Sequence, residues 1–520
     1  MRLRSLVTAL ALGASLVTPV AAQEKVLRAV PHADLTVLDP MYGTAWISLI
    51  HGVMVYESLF AWDSKLQPQP QMVSTWTTSP DGLVWRFTLR DGLAFHTGEP
   101  VTATDVIASA RRWFAIDPVG GKVAPLTAGL AAIDAKTIEW RLNRPYPGLP
   151  FALASAPARF FAVMRAIDIQ EPGGKLKDGQ ITNAVGSGPF KFDHASRVVG
   201  HRVVYDRNQA YVPRSEPANG LAGGRVVKVD KVEWRIIPDP ATAAAALQAG
   251  EVDFLERPTL DLVPMLKRLP TVSLRKLTPI SAQNMLRGNA TQFPFNDARA
   301  RLALAYVIDQ GDEMAAGWGE PEYWSRCNSY FICGGPFGTE AGAENLKQDF
   351  AEANRLMKEA GYKGEKLVFV STKEIATLGQ MAEVAYDSMK RAGWNVEMVW
   401  TDWGTVGQLL RKKDSWHLFL TGAPGPIMHH PLTNVGTDMT CEGKNFVGWP
   451  CDLEVEGLRS AFLEASDADR PAALDRLHRA LVKSQPYRVL GQYDAVVAYR
   501  NTVKGLLDSP VLAYWNIEKP

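Results

Sequence analysis

Two adjacent imidazoles, His429 and His430, stand in a Gly- and Pro-rich run, Gly422-Ala423-Pro424-Gly425-Pro426-Ile427-Met428-His429-His430-Pro431. A neutral imidazole donates to or accepts from a polar ligand, and it is also a metal ligand. On an extended chain adjacent side chains point to opposite faces. The pair is therefore expected to give a solute one contact rather than to share a metal ion; solvated histidines on a surface loop are the plain alternative. Asn434 and Thr437 follow with further hydrogen-bonding groups. Arg287, beside Gly288-Asn289, has the forked donors that pair with a carboxylate or phosphate. Trp403 follows Thr401-Asp402 at a strand-to-helix junction, the carboxyl edge where open α/β sheets hold ligands. Gly186 and Ser187 offer backbone N–H groups to an anion or carbonyl, or simply make a tight turn.

The spacings that mark common catalytic centres are absent. There is no His-Glu-x-x-His pair, and Gly186-Ser187-Gly188 is one residue too tight for a nucleophile elbow. Neither a phosphate-binding Gly-x-x-x-x-Gly-Lys loop nor a Cys-x-x-Cys redox pair occurs. With 55 acidic residues, no carboxylate pair stands out. A hydrolase whose groups meet only in space stays open as an alternative.

The elements that must position these groups are legible as periodicity. Residues 26–30 form a short apolar run expected as a strand, and 47–60 carries Ile47, Ile50, Val53, Met54 and Leu59 near the helical period. Residues 83–89 read as a strand running into the Arg90-Asp91-Gly92 turn. Thr102 and Asp105 make a capping pattern before a helix with Val106, Ile107, Ala110 and Trp113 on one side. Residues 133–142 and 229–237 are expected as strands, and 159–182 as loop. A helix over 241–249 should end in a left-handed cap at Gly250. From Asp297 onward helices (297–309, 350–360, 379–392, 403–411) alternate with strands (366–370, 396–400, 417–421). Helices stopping at Gly361 and Gly393 and feeding short apolar strands predict a parallel sheet covered on both faces. Helices at 453–465 and 470–483 and strands at 488–492 and 495–499 complete the chain.

The N-terminus has the form of a secretory signal: Arg2 and Arg4, an apolar stretch over 6–17, then small residues up to Ala21-Ala22. Cleavage is expected after Ala22, leaving 498 of 520 residues, enough for two or three domains. Losing two arginines takes the formal charge from +1 to −1, so there is no electrostatic case for nucleic acid. Export to an oxidising compartment favours disulfides for the four cysteines. The local pairing, Cys327–Cys333 and Cys441–Cys451, closes two short loops rich in Gly, Asn and Pro, and the spacing does not suit zinc.

One long segment carries a resemblance. Asp39-Pro40 is followed by Val55-Tyr56-Glu57-Ser58-Leu59, Ser74-Thr75-Trp76, Ser79-Pro80-Asp81-Gly82-Leu83-Val84-Trp85, Phe87-Thr88-Leu89-Arg90-Asp91-Gly92 and Phe95-His96-Thr97-Gly98-Glu99-Pro100-Val101. Gly186-Ser187-Gly188-Pro189-Phe190, Ile237-Pro238-Asp239-Pro240 and Pro294-Phe295-Asn296-Asp297-Ala298-Arg299 continue it. The chain resembles the periplasmic substrate-binding proteins of ABC importers, family 5, for oligopeptides, dipeptides and nickel. The resemblance implies an α/β, two-lobed, type II Venus-flytrap fold with an additional inserted domain. Domain I would be 23–60, 185–281 and 489–520, domain II 61–184, and domain III 282–488.

It also implies a solute held between domains I and III. Peptide-binding relatives hold the amino group with the acid of an Asp-Pro turn, where this chain has His430-Pro431; that departure argues against a plain peptide. Tyr42 and Trp46 would lie near the cleft edge. The expected ligand contacts are Tyr42, Trp46, Gly186, Ser187, Arg287, Trp403, His429, His430 and Asn434. The expected role is that of a monomeric, non-catalytic periplasmic protein without metal or cofactor. It would pass a small polar organic solute, peptide-like or an amino-acid or sugar-acid conjugate, to a membrane permease driven by cytoplasmic ATPases. A periplasmic peptidase and a nickel or metal-chelate carrier are the alternatives, as is a solute sensor or chaperone that docks on a receptor.

Overall fold

In a computed structural model, which describes residues 24–43, 45–157, 159–276, 278–441 and 447–520, two sheets organise the chain. The proposed signal segment lies outside the described residues. A seven-stranded sheet gathers distant stretches in the order Val272–Lys276, Val496–Arg500, Phe254–Leu255, Val26–Val30, Lys231–Arg235, Arg202–Arg207 and Phe190–Phe192. Val26–Val30 runs parallel to both its neighbours. Its Leu27 and Ala29 are fully buried, and each buried aliphatic side chain of leucine size contributes roughly 2 kcal/mol.

The second sheet has six strands, in the order Trp324–Ser325, Arg488–Tyr493, Ala282–Gly288, Leu418–Ala423, Leu367–Ser371 and Val396–Trp400. The parallel arrangement holds only around Leu367–Ser371, which pairs parallel with both neighbours. The rest is antiparallel. Connectivity explains the difference. Ala282–Gly288 enters this sheet from the first and Arg488–Tyr493 returns to it, so the two, being neighbours, must run in opposite directions. The chain thus passes between the sheets twice, just before Ala282 and at Asp494-Ala495. The crossings are tied together, with Ser281 Oγ donating to Asp494 Oδ1 at 2.8 Å and Lys276 Nζ 2.5 Å from Asp494 Oδ2. Two short tied crossings make a hinge.

A four-stranded antiparallel sheet, Val73–Thr78, Val84–Leu89, Thr137–Leu142 and Thr127–Ala132, is built from the intervening segment. Over it lies the helix Ala103–Ile116, with the expected reciprocal cap: Asp105 N donates to Thr102 Oγ1 and Thr102 N to Asp105 Oδ2. The single strand expected over 133–142 is the end of a hairpin. Asp134 Oδ1 accepts from Lys136 N and Thr137 N and so turns the chain. The helix expected over 47–60 is shorter, Trp46–Val55. Gly188 N donates to Val55 O at 2.8 Å, and Gly186 packs so close that a Cβ would lie 1.9 Å from that oxygen. The last carbonyl is satisfied from outside, Tyr56 is extended, and Phe60–Trp62 becomes a strand. Gly250 does cap Pro240–Ala249 at φ +81°.

The first sheet and the intervening segment share one hydrophobic core, into which Leu432 of the second lobe also packs; the second lobe has cores of its own. The disulfides are Cys327–Cys333 and Cys441–Cys451, as expected.

Candidate functional site

The hinge leaves a cavity of about 40 Å³ between the two bodies. Trp46 and Arg257 line it from the first body, Thr278 and Ile280 from the crossing, and Gly425, Pro426 and Tyr493 from the second. Trp46 opens its helix and is 8% exposed. Its Nε1 is buried and has no hydrogen-bond partner among the described residues. Arg257 is exposed, and it is the one charged side chain in the lining. Tyr493 stacks on Trp318 at 3.6 Å, and Trp318 is pinned by its Nε1 to Asn284 Oδ1 at 2.8 Å. Gly425 lets the loop reach the hinge, since a Cβ there would lie 2.4 Å from Ser281 O.

From this loop the short helix Gly425–Met428 leads into the two histidines. His429 is helical at φ −75°, ψ −16°, so the opposite-face argument for extended chain does not apply. Both rings are buried, and the loop is not a solvated one. His429 Nδ1 donates to Pro426 O at 2.9 Å, leaving Nε2 as an acceptor without a partner among the described residues. Its ring meets Trp62 edge-on at 5.0 Å. His430 stacks on Phe151 at 4.1 Å and meets Phe337 edge-on at 4.4 Å, while its Nδ1 accepts from Leu432 N. Burial pushes His429 down to about 3 and His430 well below the usual imidazole range, so both rings are neutral at neutral pH. Trp62 and Phe151 belong to the other body, and these contacts close the cleft.

The remaining candidates fall elsewhere. Arg287 is fully buried inside the second lobe, with Nη1 on Val447 O at 2.9 Å and its guanidinium over Tyr487; burial pushes it down to about 9. Asn434 is likewise interior. Its Nδ2 donates to Tyr330 O, its Oδ1 accepts from Gly436 N, and its own carbonyl takes the Thr437 hydroxyl. At the Gly186-Ser187 turn, Gly186 N donates to His96 Nδ1 at 3.3 Å, and the turn serves to seat the helix Trp46–Val55. Trp403 is 40% exposed at the start of Trp403–Leu409, its N–H on Glu374. Tyr42 is 47% exposed. Neither lines the hinge cavity. Of the expected contacts, Trp46 lines the hinge cavity, while His429 and His430 lie outside its lining, packed against Trp62 and Phe151.

The lining adds Arg257 and Tyr493. Arg257 follows the carboxyl end of the strand Phe254–Leu255, and the rule that singled out Trp403 would have found it. Among the described residues the one group with metal-ligand geometry is Cys327, Cys333 and Glu340, whose cysteines are joined in a disulfide.

Residues 67–446 match the model of the bacterial extracellular solute-binding proteins, family 5. The chain belongs to that family. A probable peptide ABC transporter periplasmic-binding protein of Sinorhizobium fredii is 36% identical over 96% of this chain and 94% of its own. Solved family 5-like folds include the Helicobacter pylori protein DppA in complex with the peptide STSA (22% identity, TM-score 0.78, 95% of this chain and 98% of that one). The protein AgaA of A. tumefaciens in complex with agropinic acid matches at 18% identity and TM-score 0.78, over 95% of this chain and 99% of that one. Solute-binding proteins of ABC importers bind small solutes and deliver them to permease and ATPase components. In this family 5 protein the Trp46–Arg257 cavity lies where two hinged bodies meet. No helix among the described residues is long and apolar enough to cross a membrane.

Proposed function

We propose that this protein captures a small polar organic solute at the hinge cavity and delivers it, chemically unchanged, to an importer. It would act as a monomer in the periplasm once residues 1–22 are removed. The three-part division, 23–60 with 185–281 and 489–520, then 61–184, then 282–488, is the arrangement we propose for the moving bodies. Membership of the two sheets supports it except at the last boundary, where Arg488–Tyr493 pairs in the second sheet and the return crossing falls at Asp494-Ala495 rather than at 488–489. A cavity of about 40 Å³ holds little more than a water or two, so the bodies must part to admit a solute and settle around it.

The observation that carries the reading is the lining itself. Two bodies contribute to it, the Trp46 ring is part of it, and Arg257 is the sole charge among the described lining residues. A guanidinium in the lining favours a solute acid group over an ammonium. Burial of His430 beside Phe151, at the position where a peptide-holding acid is expected, points the same way. Peptide-like acids and amino-acid or sugar-acid conjugates therefore fit better than a free peptide amino terminus. AgaA, another protein with this fold, is solved in complex with agropinic acid.

The test is calorimetric titration with a panel of amino-acid conjugates and dipeptides, with mass spectrometry of the recovered solute. Trp46→Ala and Arg257→Gln should each weaken the best solute at least tenfold, and the solute should be recovered intact. Turnover of the solute, or affinity indifferent to both substitutions, refutes the reading.

A further inference from the structure

Away from the hinge, each body sends a side chain into the other. Leu432 of the second lobe is 2% exposed and belongs to the core that the first sheet shares with the intervening segment. Phe151, from the short helix Leu149–Ala154 of that segment, goes the other way. It stacks on His430 with ring centroids 4.1 Å apart and meets Phe337 edge-on at 6.4 Å, both rings of the second lobe. Its helix neighbours Leu149, Ala152, Leu153 and Ala154 are buried in their own core, so the ring stands on a firm base. The receiving turn is as firm. Pro431 O accepts from Arg459 Nη1 at 2.8 Å, Asn434 N donates to His430 O at 2.9 Å, and Asn434 Nδ2 donates to Tyr330 O at 2.8 Å.

Two ion pairs also span the bodies, Lys122–Asp438 at 3.7 Å and Arg144–Glu464 at 3.0 Å. The first is long and the second is exposed on both sides, and pairs of that kind contribute little. The exchange of Leu432 for Phe151 takes aliphatic and aromatic surface out of water and carries the larger share. Phe151, His430, Phe337 and Leu432 all lie outside the lining of the hinge cavity. Their attraction therefore needs no solute to complete it, and it favours the closed form equally with a solute in or out.

We propose that Phe151 and Leu432 form a reciprocal latch that holds the cleft closed with no solute bound and sets how often it opens to admit or release one. Phe151 is a positioning residue, fixing the separation of the bodies through His430. The latch rests on the two-body closure proposed above, but not on the hinge cavity being the solute site. Its test needs no solute: amide hydrogen exchange and small-angle X-ray scattering on the full chain, dialysed free of small molecules. Phe151→Ala should speed exchange over 428–434 at least tenfold and raise the radius of gyration, with protection of the helices Ala103–Ile116 and Arg470–Ser484 unchanged. Phe151→Leu should recover most of both. Leu432→Ala, on the opposite body, should repeat the Phe151→Ala result, and it decides the matter if Phe151→Ala lowers protection of those two helices. Arg144→Gln should change neither quantity. Exchange and scattering as in wild type, faster exchange at unchanged radius, or an equal opening in Arg144→Gln overturns the latch. The Trp46→Ala and Arg257→Gln titrations judge the hinge site separately. Affinity lost in them while Phe151→Ala stays closed sinks the latch alone, and an opened Phe151→Ala with flat titrations keeps the latch and removes the hinge site.

Discussion

Replacing His429 by phenylalanine should reverse the stability order of variant and wild type between pH 7.5 and pH 5. In the folded protein burial holds this imidazole down at about 3, whereas an exposed histidine titrates near 6.5. As pH falls below 6.5 the unfolded chain takes a proton that the folded chain refuses. His429 therefore costs stability increasingly from pH 6.5 down to about 3, and costs nothing above that window. At pH 5 the deficit is 1.5 units, at 1.36 kcal/mol per unit about 2 kcal/mol. Phenylalanine keeps an aromatic ring against Trp62 but loses the bond from Nδ1 to Pro426 O, a pH-independent loss of about 1 kcal/mol. The variant should thus melt below wild type at pH 7.5 and above it at pH 5. His51 and His96, also pushed down by burial, and Glu313, pushed up by burial, respond alike in both proteins and cancel in the comparison. Scanning calorimetry at the two pH values gives the answer. An offset in melting temperature of the same sign and size at both would show that His429 is not held neutral, and the burial argument would fail with it.

Two other perturbations follow from the geometry. Cys327→Ser opens a disulfide loop of sequence separation 6 and should cost about 2 kcal/mol under oxidising conditions; in reductant its melting temperature should match that of wild type, and a loss equal in both conditions would contradict the disulfide. Gly425→Ala places a methyl 2.4 Å from Ser281 O, so the loop must lift from the hinge; solute affinity should fall at least tenfold with far-ultraviolet dichroism unchanged, and unaltered affinity would show that the loop need not seat there.

The elements were legible where one segment carries its own pattern. Thr102 with Asp105 specified a cap, Gly250 specified a left-handed stop, and the apolar run Val26–Val30 specified a strand. The errors came where a distant segment decides. Nothing between Ile47 and Phe60 reveals that Gly186 and Gly188 end the helix at Val55. Phe151 lies in a short run without periodicity, and its role exists only against His430 of the other body.

The candidate site adds a geometric lesson, because which residues face a cleft depends on their distance from the crossings. Trp403 does stand at a strand's carboxyl edge, but Val396–Trp400 is the third strand over from Ala282–Gly288, roughly 14 Å sideways at the usual strand spacing. Arg287 lies on the crossing strand itself, five residues beyond Ala282 where the strand leaves the hinge, so roughly 16 Å further along it. Arg257 follows a strand directly beside Val496–Arg500, which continues the returning crossing, and Gly425 follows one directly beside Ala282–Gly288. The carboxyl-edge rule therefore needs a second coordinate, the sheet position relative to the hinge. Sheet order is fixed by long-range pairing, which no single window of sequence contains.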